Sequence, residues 1–254
     1  MNWGISIIIP VYNDLEGLKR TVDCLAVPDE FEHEIIICND GANDAITNWI
    51  PDTPYFNLIN LKERKGSYAA RNEGIKKAIF DNILFVDADV ELQPGWFQIL
   101  KPLTERNDYI ALEINVLSNN ALSLLKRFSQ FEEFDCDNYW QTHHFGPTAC
   151  LFVKKQVFNN IGMFDHRLES GGDLEFGNRC WYSNVKMHYE KNQLIWHEPR
   201  SLSQKFRKHI RVMNGQLQLQ KLYPNRPFQA HKSSFKGFVY KCFQSVNTLT
   251  KPEL

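Results

Sequence analysis

The chain has 254 residues, of which 43% are hydrophobic and 23% charged, and its formal net charge is −1. This composition is ordinary for a folded globular protein and excludes collagen-like, low-complexity and disordered classes. Six cysteines show neither a CxxC pair nor zinc-ligand spacing, so we expect buried thiols in a reducing compartment. No apolar run approaches the ~18 residues of a membrane helix, and the first residues lack a signal-peptide pattern, so the predicted location is the cytoplasm.

Charge is distributed unevenly along the chain. Residues 1–198 carry 18 basic and 29 acidic side chains, whereas residues 199–252 carry 11 basic and no acidic ones. We therefore predict an acidic body, 1–198, followed by a basic C-terminal helical extension, 199–254. The cations of this extension favour either packing against the acidic body or contact with an anionic partner.

The first 90 residues alternate short β-branched runs with helical patterns. Strands are predicted over 6–11, 34–38, 56–61 and 83–86, and amphipathic helices over 15–25 and 67–79. Asn13 or Asp14 is expected to cap the first helix, and Ser67 the second. Strands that alternate with helices predict a parallel, doubly wound sheet, whose ligand lies beyond the carboxyl ends of the strands.

The second half is less regular. It predicts a helix near 122–128 running into an acidic patch at 132–135, a strand over 148–153, helices over 154–160 and 174–182, short strands over 185–189 and 193–197, and a basic helix over 200–222. No internal repeat and no linker rich in Pro, Gly or Ser occurs. One domain with a C-terminal appendage is the simplest organisation.

Two motifs in the first half carry chemistry. Asp87 and Asp89 follow a predicted buried strand, where two carboxylates can hold Mg²⁺ or Mn²⁺ together with a diphosphate. Alone, an Asp-x-Asp is more often a turn or a solvated loop.

Residues 65–74 form the second motif, a helix start led by a glycine, with Arg71 one turn inside the helix. This arrangement suits binding of an anion, although a solvated arginine is the alternative. A Walker A loop and a GxGxxG after a strand are absent, which removes the usual support for ATP hydrolysis and nicotinamide chemistry.

Four segments resemble, in order and spacing, the signatures of glycosyltransferase family 2. They are 6–14 (SIIIPVYND), 39–44 (NDGAND), 69–75 (AARNEGI) and 86–89 (VDAD), with weaker matches at 161–165, 171–175 and 196–197. The resemblance covers about four fifths of the chain. It implies the GT-A fold, a single Rossmann-like α/β domain with a mostly parallel central sheet flanked by helices. Residues 1–115 would be the nucleotide-sugar-binding half, and residues 116–198 the acceptor half.

The resemblance also implies inverting, metal-dependent transfer of a sugar from a nucleotide donor, usually UDP-linked, in bacterial-type polysaccharide or glycoconjugate assembly. The residues that it assigns to the donor are Pro10, Val11, Asn13, Asn39, Asp40, Lys65, Arg71 and Asp87. It assigns Asp87, Asp89 and His197 to Mn²⁺ or Mg²⁺, with Asp89 as the direct ligand; a structural histidine is the alternative at 197. The family commonly has Asp-Asp-Gly-Ser at the positions where this chain has Asn39 and Ala42. This difference leaves the identity of the donor's nucleotide base open.

The resemblance assigns Asp173 as general base and Glu175 as a further acidic position. An inverting displacement needs a carboxylate that removes the acceptor hydroxyl proton. The family usually has an acidic pair where this chain reads Gly172-Asp173, and a helix N-cap is the alternative role for Asp173. The missing carboxylate leaves open a catalytically degenerate nucleotide-sugar-binding protein. A nucleotidyltransferase on a similar scaffold is the other alternative, although residues 10–13 replace its usual glycine-rich basic loop.

The implied partners are a nucleotide sugar and a glycan or lipid-linked glycan acceptor. The basic extension includes Arg200, Lys205, Arg207, Lys208, Arg211, Lys232, Lys236 and Lys241. Such cations predict peripheral contact with anionic lipid at the inner membrane face, at ~1 kcal/mol per basic residue near the surface. A solvated basic helix is the alternative, and the chain shows no nucleic-acid-binding module.

Overall fold

The structure, a computed structural model, describes residues 3–116, 134–197 and 201–226. Its strands are β1 (Gly4–Val11), β2 (Glu32–Asp40), β3 (Phe56–Leu61), β4 (Asn82–Val86), β5 (Val90–Leu92), β6 (Tyr109–Val116), β7 (Cys150–Lys154) and β8 (Met187–His197). Its helices are α1 (Leu15–Asp23), α2 (Asp44–Trp49), α3 (Ser67–Lys77), α4 (Trp96–Thr104), α5 (Cys136–His143), α6 (Lys155–Ile161), α7 (Gly172–Tyr182) and α8 (Leu202–Leu222).

The strands form one sheet in the order β3-β2-β1-β4-β7-β6-β8-β5. In the amino-terminal half β1 pairs in parallel with both β2 and β4, and β2 pairs in parallel with β3. Strand β7 is antiparallel to β4 and to β6, β8 is parallel to β6, and β5 is antiparallel to β8. The chain is therefore a mixed α/β domain whose amino-terminal half has the predicted parallel arrangement.

Both faces of the central parallel strand β1 are buried. Every residue of β1 is buried, with Ile7 and Ile9 in the apolar cluster on one face of the sheet and Ile8 in the cluster on the other. Helices cover both faces, so a central strand needs apolar side chains at consecutive positions rather than in alternation. This is why the continuous apolar run in the sequence predicts β1 correctly.

Several predicted elements differ from the structure. Helix α3 is preceded by Gly66 at φ +89° without a side-chain cap, so Ser67 is its first residue and not its cap. Ile79 lies beyond the helix and is 72% exposed. The two strands expected over 185–197 are one strand, β8, whose pairing with β6 shifts register near Leu112. The expected helix near 122–128 and the acidic residues 132 and 133 lie outside the described residues.

The C-terminal helix α8 packs against the segment that precedes α7. Leu219 is buried, and the backbone of Gly215 lies so close to Ser170 that a Cβ atom there would come within 2.5 Å of the Ser170 carbonyl oxygen. The backbone N–H of Glu169 donates to the Gln218 side-chain oxygen (2.9 Å). The described part of the basic extension is thus joined to the carboxyl-terminal half of the α/β domain. Across the ranges that the structure describes, no helix is both long and apolar enough to cross a membrane.

Candidate active site

Polar side chains gather at the carboxyl edge of the parallel strands. Strands β1, β2 and β4 are neighbours and run in the same direction, so the residues that follow them share one edge of the sheet. Asn13 follows β1, Asp40 ends β2, and Asp87 follows β4. This edge is where an open α/β sheet binds its ligand.

Asp40 anchors the loop that leads into α3. Its buried carboxylate accepts hydrogen bonds from the backbone N–H groups of Lys65 (2.6 Å) and Gly66 (2.8 Å). The Lys65 residue itself is exposed at the same edge. In this structure Asp40 therefore shapes the helix start, and its contact with a ribose or a base stays a prediction.

Asn39 and Asn13 belong to an amide network around the start of α2. The buried Asn39 side chain donates to Asn60 Oδ1 (2.8 Å) and to the carbonyl of Asn43 (3.0 Å), and its own oxygen accepts from the Asn43 backbone (3.1 Å). Asn43 Nδ2 in turn donates to Asn13 Oδ1 (2.8 Å). The Asn39 amide explains why an aspartate is not required here, because two of these partners are acceptors that only a donor can satisfy.

Pro10 and Val11, the last residues of β1, are buried beneath this edge. The next residue, Tyr12, is 46% exposed, and the guanidinium of Arg64 lies 4.5 Å from its ring centroid. Sequence analysis did not single out Tyr12 as a site residue. Its exposed aromatic ring directly after the central strand is the signal that indicates a stacking surface.

Arg71 and Asp87 form an ion pair deep in the cleft. Arg71 Nη2 donates to Asp87 Oδ1, and the Arg71 side chain is 3% exposed. The Arg71 Nε atom is also buried and has no hydrogen-bond partner among the residues that the structure describes. Because a buried donor without a partner is costly, this atom marks a place where a ligand acceptor would bind favourably.

His197 and Asp89 lie side by side. His197 ends β8 opposite Val90 in β5, which follows Asp89 directly, and this pairing brings His197 Nε2 to 2.9 Å from Asp89 Oδ2. The imidazole is buried and the carboxylate is partly exposed. The sequence alone left His197 open between a ligand and a structural role, and the structure places it against the predicted metal ligand.

The Asp89–His197 pair fits a divalent cation. The 2.9 Å contact is that of a direct ion pair, and it is also close to the ~3 Å that separates neighbouring ligands on an octahedral ion with ~2.1 Å bonds. Carboxylate oxygen suits Mg²⁺ and Mn²⁺, whereas imidazole nitrogen suits transition metals, so Mn²⁺ is the better match of the two ions. The carboxylate of Asp87 is bound to Arg71, and the described ranges contain no group of three or more His, Cys, Asp or Glu residues arranged for a metal.

Asp173 lies in the first turn of α7 and contacts Tyr68. Their closest side-chain atoms, Asp173 Oδ1 and Tyr68 Oη, are 3.3 Å apart, and the backbone N–H of Asp173 is also 3.3 Å from Tyr68 Oη. Burial raises the pKa of the Asp173 carboxyl, and the charge of Arg71 partly opposes this rise. Helix α7 begins at Gly172 after Gly171, so Asp173 is not its N-cap. A partly exposed carboxylate with a raised pKa has the character of a general base.

Gly172 occupies the position where the family pattern has an acidic residue. A Cβ atom at Gly172 would come within 2.7–2.9 Å of three carbon atoms of the Tyr68 ring. Tyr68 is itself buried, and its ring lies 5.7 Å from the Arg71 guanidinium. Tyr68, which sequence analysis missed, thus fills the space of the absent side chain and links Asp173 to the Arg71–Asp87 pair.

Glu175 is placed apart from Asp173. Its buried carboxylate accepts hydrogen bonds from Arg179 Nε (2.9 Å) and from Arg226 Nη1 (2.7 Å). Residues two apart on a helix point about 200° away from each other, so Glu175 faces the protein interior when Asp173 faces the cleft. The geometry makes Glu175 a structural ion-pair residue, in contrast to the catalytic role that the resemblance implies.

Glu175→Gln is therefore expected to act on stability. Loss of the buried negative charge leaves Arg179 with only its backbone carbonyl acceptors and removes the ion pair of the partly exposed Arg226, so we expect the free energy of unfolding to fall by about 2 kcal/mol. Urea unfolding followed by circular dichroism measures this change. Glu73→Gln is the matched control, because it breaks an exposed pair with Lys76 and should cost less than about 1 kcal/mol. Equal effects of the two substitutions would contradict the structural role of Glu175.

The fold is that of GT-A glycosyltransferases. A solved structure described as S. aureus TarS 1-349 in complex with UDP-GlcNAc superposes with a TM-score of 0.61 at 16% identity, covering 96% of this chain and 73% of that chain. The TarS 1-349 structure in complex with UDP gives a TM-score of 0.58 at 18% identity, over 85% and 66% of the two chains. These likenesses establish the architecture.

A family profile described as Glycosyl transferase family 2 matches residues 6–162. The chain belongs to glycosyltransferase family 2 and is a glycosyltransferase. Glycosyltransferase AglE of Haloferax volcanii is 25% identical over 85% of this chain and 73% of its own length. Chondroitin synthase of Escherichia coli and poly-beta-1,6-N-acetyl-D-glucosamine synthase of Staphylococcus epidermidis are each 25% identical over 77% and 76% of this chain. The chain spans only 34% and 49% of these two synthases.

Proposed function

We propose that this protein transfers a sugar from a UDP-sugar to a hydroxyl group of a glycan or lipid-linked glycan, with inversion at the anomeric carbon, in the assembly of a polysaccharide or glycoconjugate. The observation that carries the proposal is the contact series from Asp173 through Tyr68 to the Arg71–Asp87 pair. It joins a base-like carboxylate to a cationic site. Relatives named as polysaccharide synthases and UDP-GlcNAc bound to TarS support the substrate class.

Asp173 acts as general base in this proposal. Its carboxylate takes the proton of the acceptor hydroxyl while that oxygen forms a bond to the anomeric carbon. The bond from the anomeric carbon to the diphosphate oxygen breaks on the opposite side, and the electron pair leaves with UDP. The raised pKa of Asp173 suits proton transfer, because a more basic carboxylate takes a hydroxyl proton more readily.

Arg71 holds the diphosphate in this proposal. Its guanidinium is buried, oriented by Asp87, and carries an Nε donor with no partner in the described structure. A phosphate oxygen at that donor forms a charge-assisted hydrogen bond. Helix α3, which begins beside it, has no side-chain cap, so its first N–H groups also face the anion. Both features stabilise the negative charge that develops on the leaving group.

Asp89 and His197 would hold Mn²⁺ or Mg²⁺. When bound, the cation would neutralise charge on the diphosphate. The nucleoside then extends towards Tyr12, Asn13 and the exposed Lys65 at the ends of β1 and β2. Asp40 and Asn39 support this part of the cleft from below through their hydrogen bonds to the surrounding loops.

Calorimetry and thermal unfolding with UDP, UDP-GlcNAc, ADP and GDP test the donor class. We expect UDP and UDP-GlcNAc to bind best, and to bind more tightly with Mn²⁺ than with EDTA. A ligand at 100 times its Kd should stabilise the fold by about 2.7 kcal/mol. Proton NMR of the product with a glycan acceptor should show the inverted anomeric configuration. Stabilisation by none of the four nucleotides would contradict the proposal, and binding without UDP release from any acceptor would indicate a degenerate binding protein.

A further inference from the structure

Helix α8 has two faces of different character. Towards the protein it presents Gly215 and Leu219, which lie directly against Ser170 and Gly171. Away from the protein it presents large apolar side chains to solvent. These are Phe206 (45% exposed), Ile210 (44%) and Leu217 (64%).

The exposed apolar residues form one stripe. Phe206 and Gly215 are nine residues apart, or about 2.5 turns, and therefore lie on opposite sides of the helix. Ile210 and Leu217 are seven residues apart and share one side, close to that of Phe206. From 206 to 217 the stripe is about 16 Å long at 1.5 Å per residue. We name these three residues the apolar stripe.

Three exposed cations of α8 lie along one side of the apolar stripe: Arg207 and Arg211 directly follow Phe206 and Ile210, about 100° further around the helix, and Lys221 is about 40° from Leu217. Arg207, Arg211 and Lys221 are exposed, whereas Lys208 turns inward and lies 4.6 Å from the Phe134 ring centroid. Residues 202–222 contain no Asp or Glu. An amphipathic helix with aromatic and aliphatic residues on one side and Lys or Arg beside them is the pattern of helices that lie in a membrane interface.

We propose that α8 is a docking surface for an anionic lipid bilayer. The apolar stripe enters the boundary between head groups and acyl chains, and Arg207, Arg211 and Lys221 bind lipid phosphates. Charge favours this occupant over the segment that follows α8, because residues 227–254 carry four basic and one acidic side chain and so offer little complementary charge. Docking requires neither donor nor acceptor, and it is therefore independent of the proposed sugar transfer.

The inner face of α8 gives this docking a consequence at the active site. Gln218 and Leu219 contact residues 169 and 171, which precede Asp173 by four and two positions. If the outer side of α8 rests on a bilayer, its inner side therefore contacts the loop that directly precedes Asp173. On the proposed function, this arrangement suits an acceptor that is anchored in the same bilayer.

Cosedimentation of the full chain with sucrose-loaded vesicles tests the proposal. We expect binding to vesicles of phosphatidylcholine with 30% phosphatidylglycerol at 50 mM salt, weaker binding at 500 mM salt because charges are screened, and little binding to phosphatidylcholine alone. No binding to the anionic vesicles at 50 mM salt would overturn the proposal.

Two pairs of substitutions at exposed positions separate the contribution of the cations from that of the apolar stripe. The pair Arg207→Gln and Arg211→Gln should weaken vesicle binding by about 20- to 30-fold, from ~1 kcal/mol for each cation near the surface. The pair Phe206→Ser and Leu217→Ser should weaken it by at least about tenfold, and this loss should persist at high salt. Binding by either pair at the level of the unmodified chain would overturn the proposal.

A control at the far end of α3 matches both sets. Lys76, Lys77 and Ile79 are two exposed cations and one exposed apolar residue outside α8. Lys76→Gln, Lys77→Gln and Ile79→Ser together should leave vesicle binding unchanged, and circular dichroism should show that all variants are folded.

Light scattering tests the competing occupant, a second copy of this chain. A dimer that Leu217→Ser dissociates, without vesicle binding by either form, would assign the apolar stripe to that second copy. UDP affinity is measured in parallel, so that failure of docking and failure of the proposed function are distinguished.

Discussion

Asp173→Asn should lower the rate of sugar transfer by about 10²–10⁴-fold, the range typical of general acid–base catalysis. The amide has nearly the shape of the carboxylate but cannot accept the hydroxyl proton, so the fold and the affinity for UDP should hardly change. Steady-state kinetics with a UDP-sugar and calorimetry with UDP measure the two effects separately. Asp52→Asn, an exposed position in the loop before β3, is the matched control and should be fully active.

The pH dependence of the transfer rate is a second, independent test of Asp173 as the general base. Burial raises the pKa of Asp173, and only the ionised form can act as base, so transfer should fall as the pH decreases through that raised pKa. The hydrogen bond from Tyr68 lowers this pKa, so Tyr68→Phe should move the acid limb of the rate profile to higher pH. An unchanged acid limb in Tyr68→Phe, or an active Asp173→Asn, would show that another group is the base.

Asp89→Ala should abolish the enhancement of nucleotide binding by Mn²⁺. The substitution removes the carboxylate beside His197, and loss of a direct metal ligand should lower the metal-dependent affinity by on the order of 100-fold or more. Calorimetric titration of UDP in the presence of Mn²⁺ or EDTA measures the enhancement. Unfolding curves of Asp89→Ala are the control, and they should match those of the unmodified chain because the carboxylate is partly exposed.

Substitutions at two nearby positions, 197 and 87, distinguish a metal ligand from residues with other roles. His197→Gln should reduce the Mn²⁺ effect if the imidazole is a ligand, whereas a structural histidine would change only the stability. Asp87→Asn should weaken UDP binding with and without metal, because it disturbs Arg71. Metal-dependent affinity that persists in Asp89→Ala would place the metal elsewhere, or remove it from the reaction.

The amino-terminal half could be predicted from the sequence for a definite physical reason. The run from Ser6 to Val11 is apolar at consecutive positions because β1 is covered on both faces, and that pattern identifies a central parallel strand. Once β1 and β4 are recognised as parallel neighbours, Asn13 and Asp87 must lie at the same edge. Local sequence patterns are therefore sufficient to predict the fold of this half and the edge of the sheet at which its polar residues meet.

The carboxyl-terminal half depends on contacts between distant residues. Strand β5 has three residues, too few for a periodic signal, and its role is to bring Asp89 against His197. Glu175 has the local pattern of an active-site acid, yet it is held by Arg226, 51 positions later. No spacing rule indicates a pair at that separation.

Gly172 is a second case in which a distant contact decided the outcome. As a sequence feature it is a missing carboxylate, which suggests lost catalysis. In the structure the space for a side chain is filled by Tyr68, more than 100 positions earlier, which also contacts Asp173. Tyr68 therefore occupies the volume at this departure from the family pattern, and only the tertiary structure reveals that contact.

The attachment of α8 to the segment before α7 sets an order in which contacts can form during synthesis on the ribosome. The parallel strands β1–β4 pair within the first 86 residues, so this half can begin to fold while the remainder is still being translated. The later residues Leu219, Tyr223 and Arg226 contact Gly171, Asp165 and Glu175, and these contacts form only when the later residues have left the exit tunnel. The packing around Asp173 is thus completed after the parallel strands can pair.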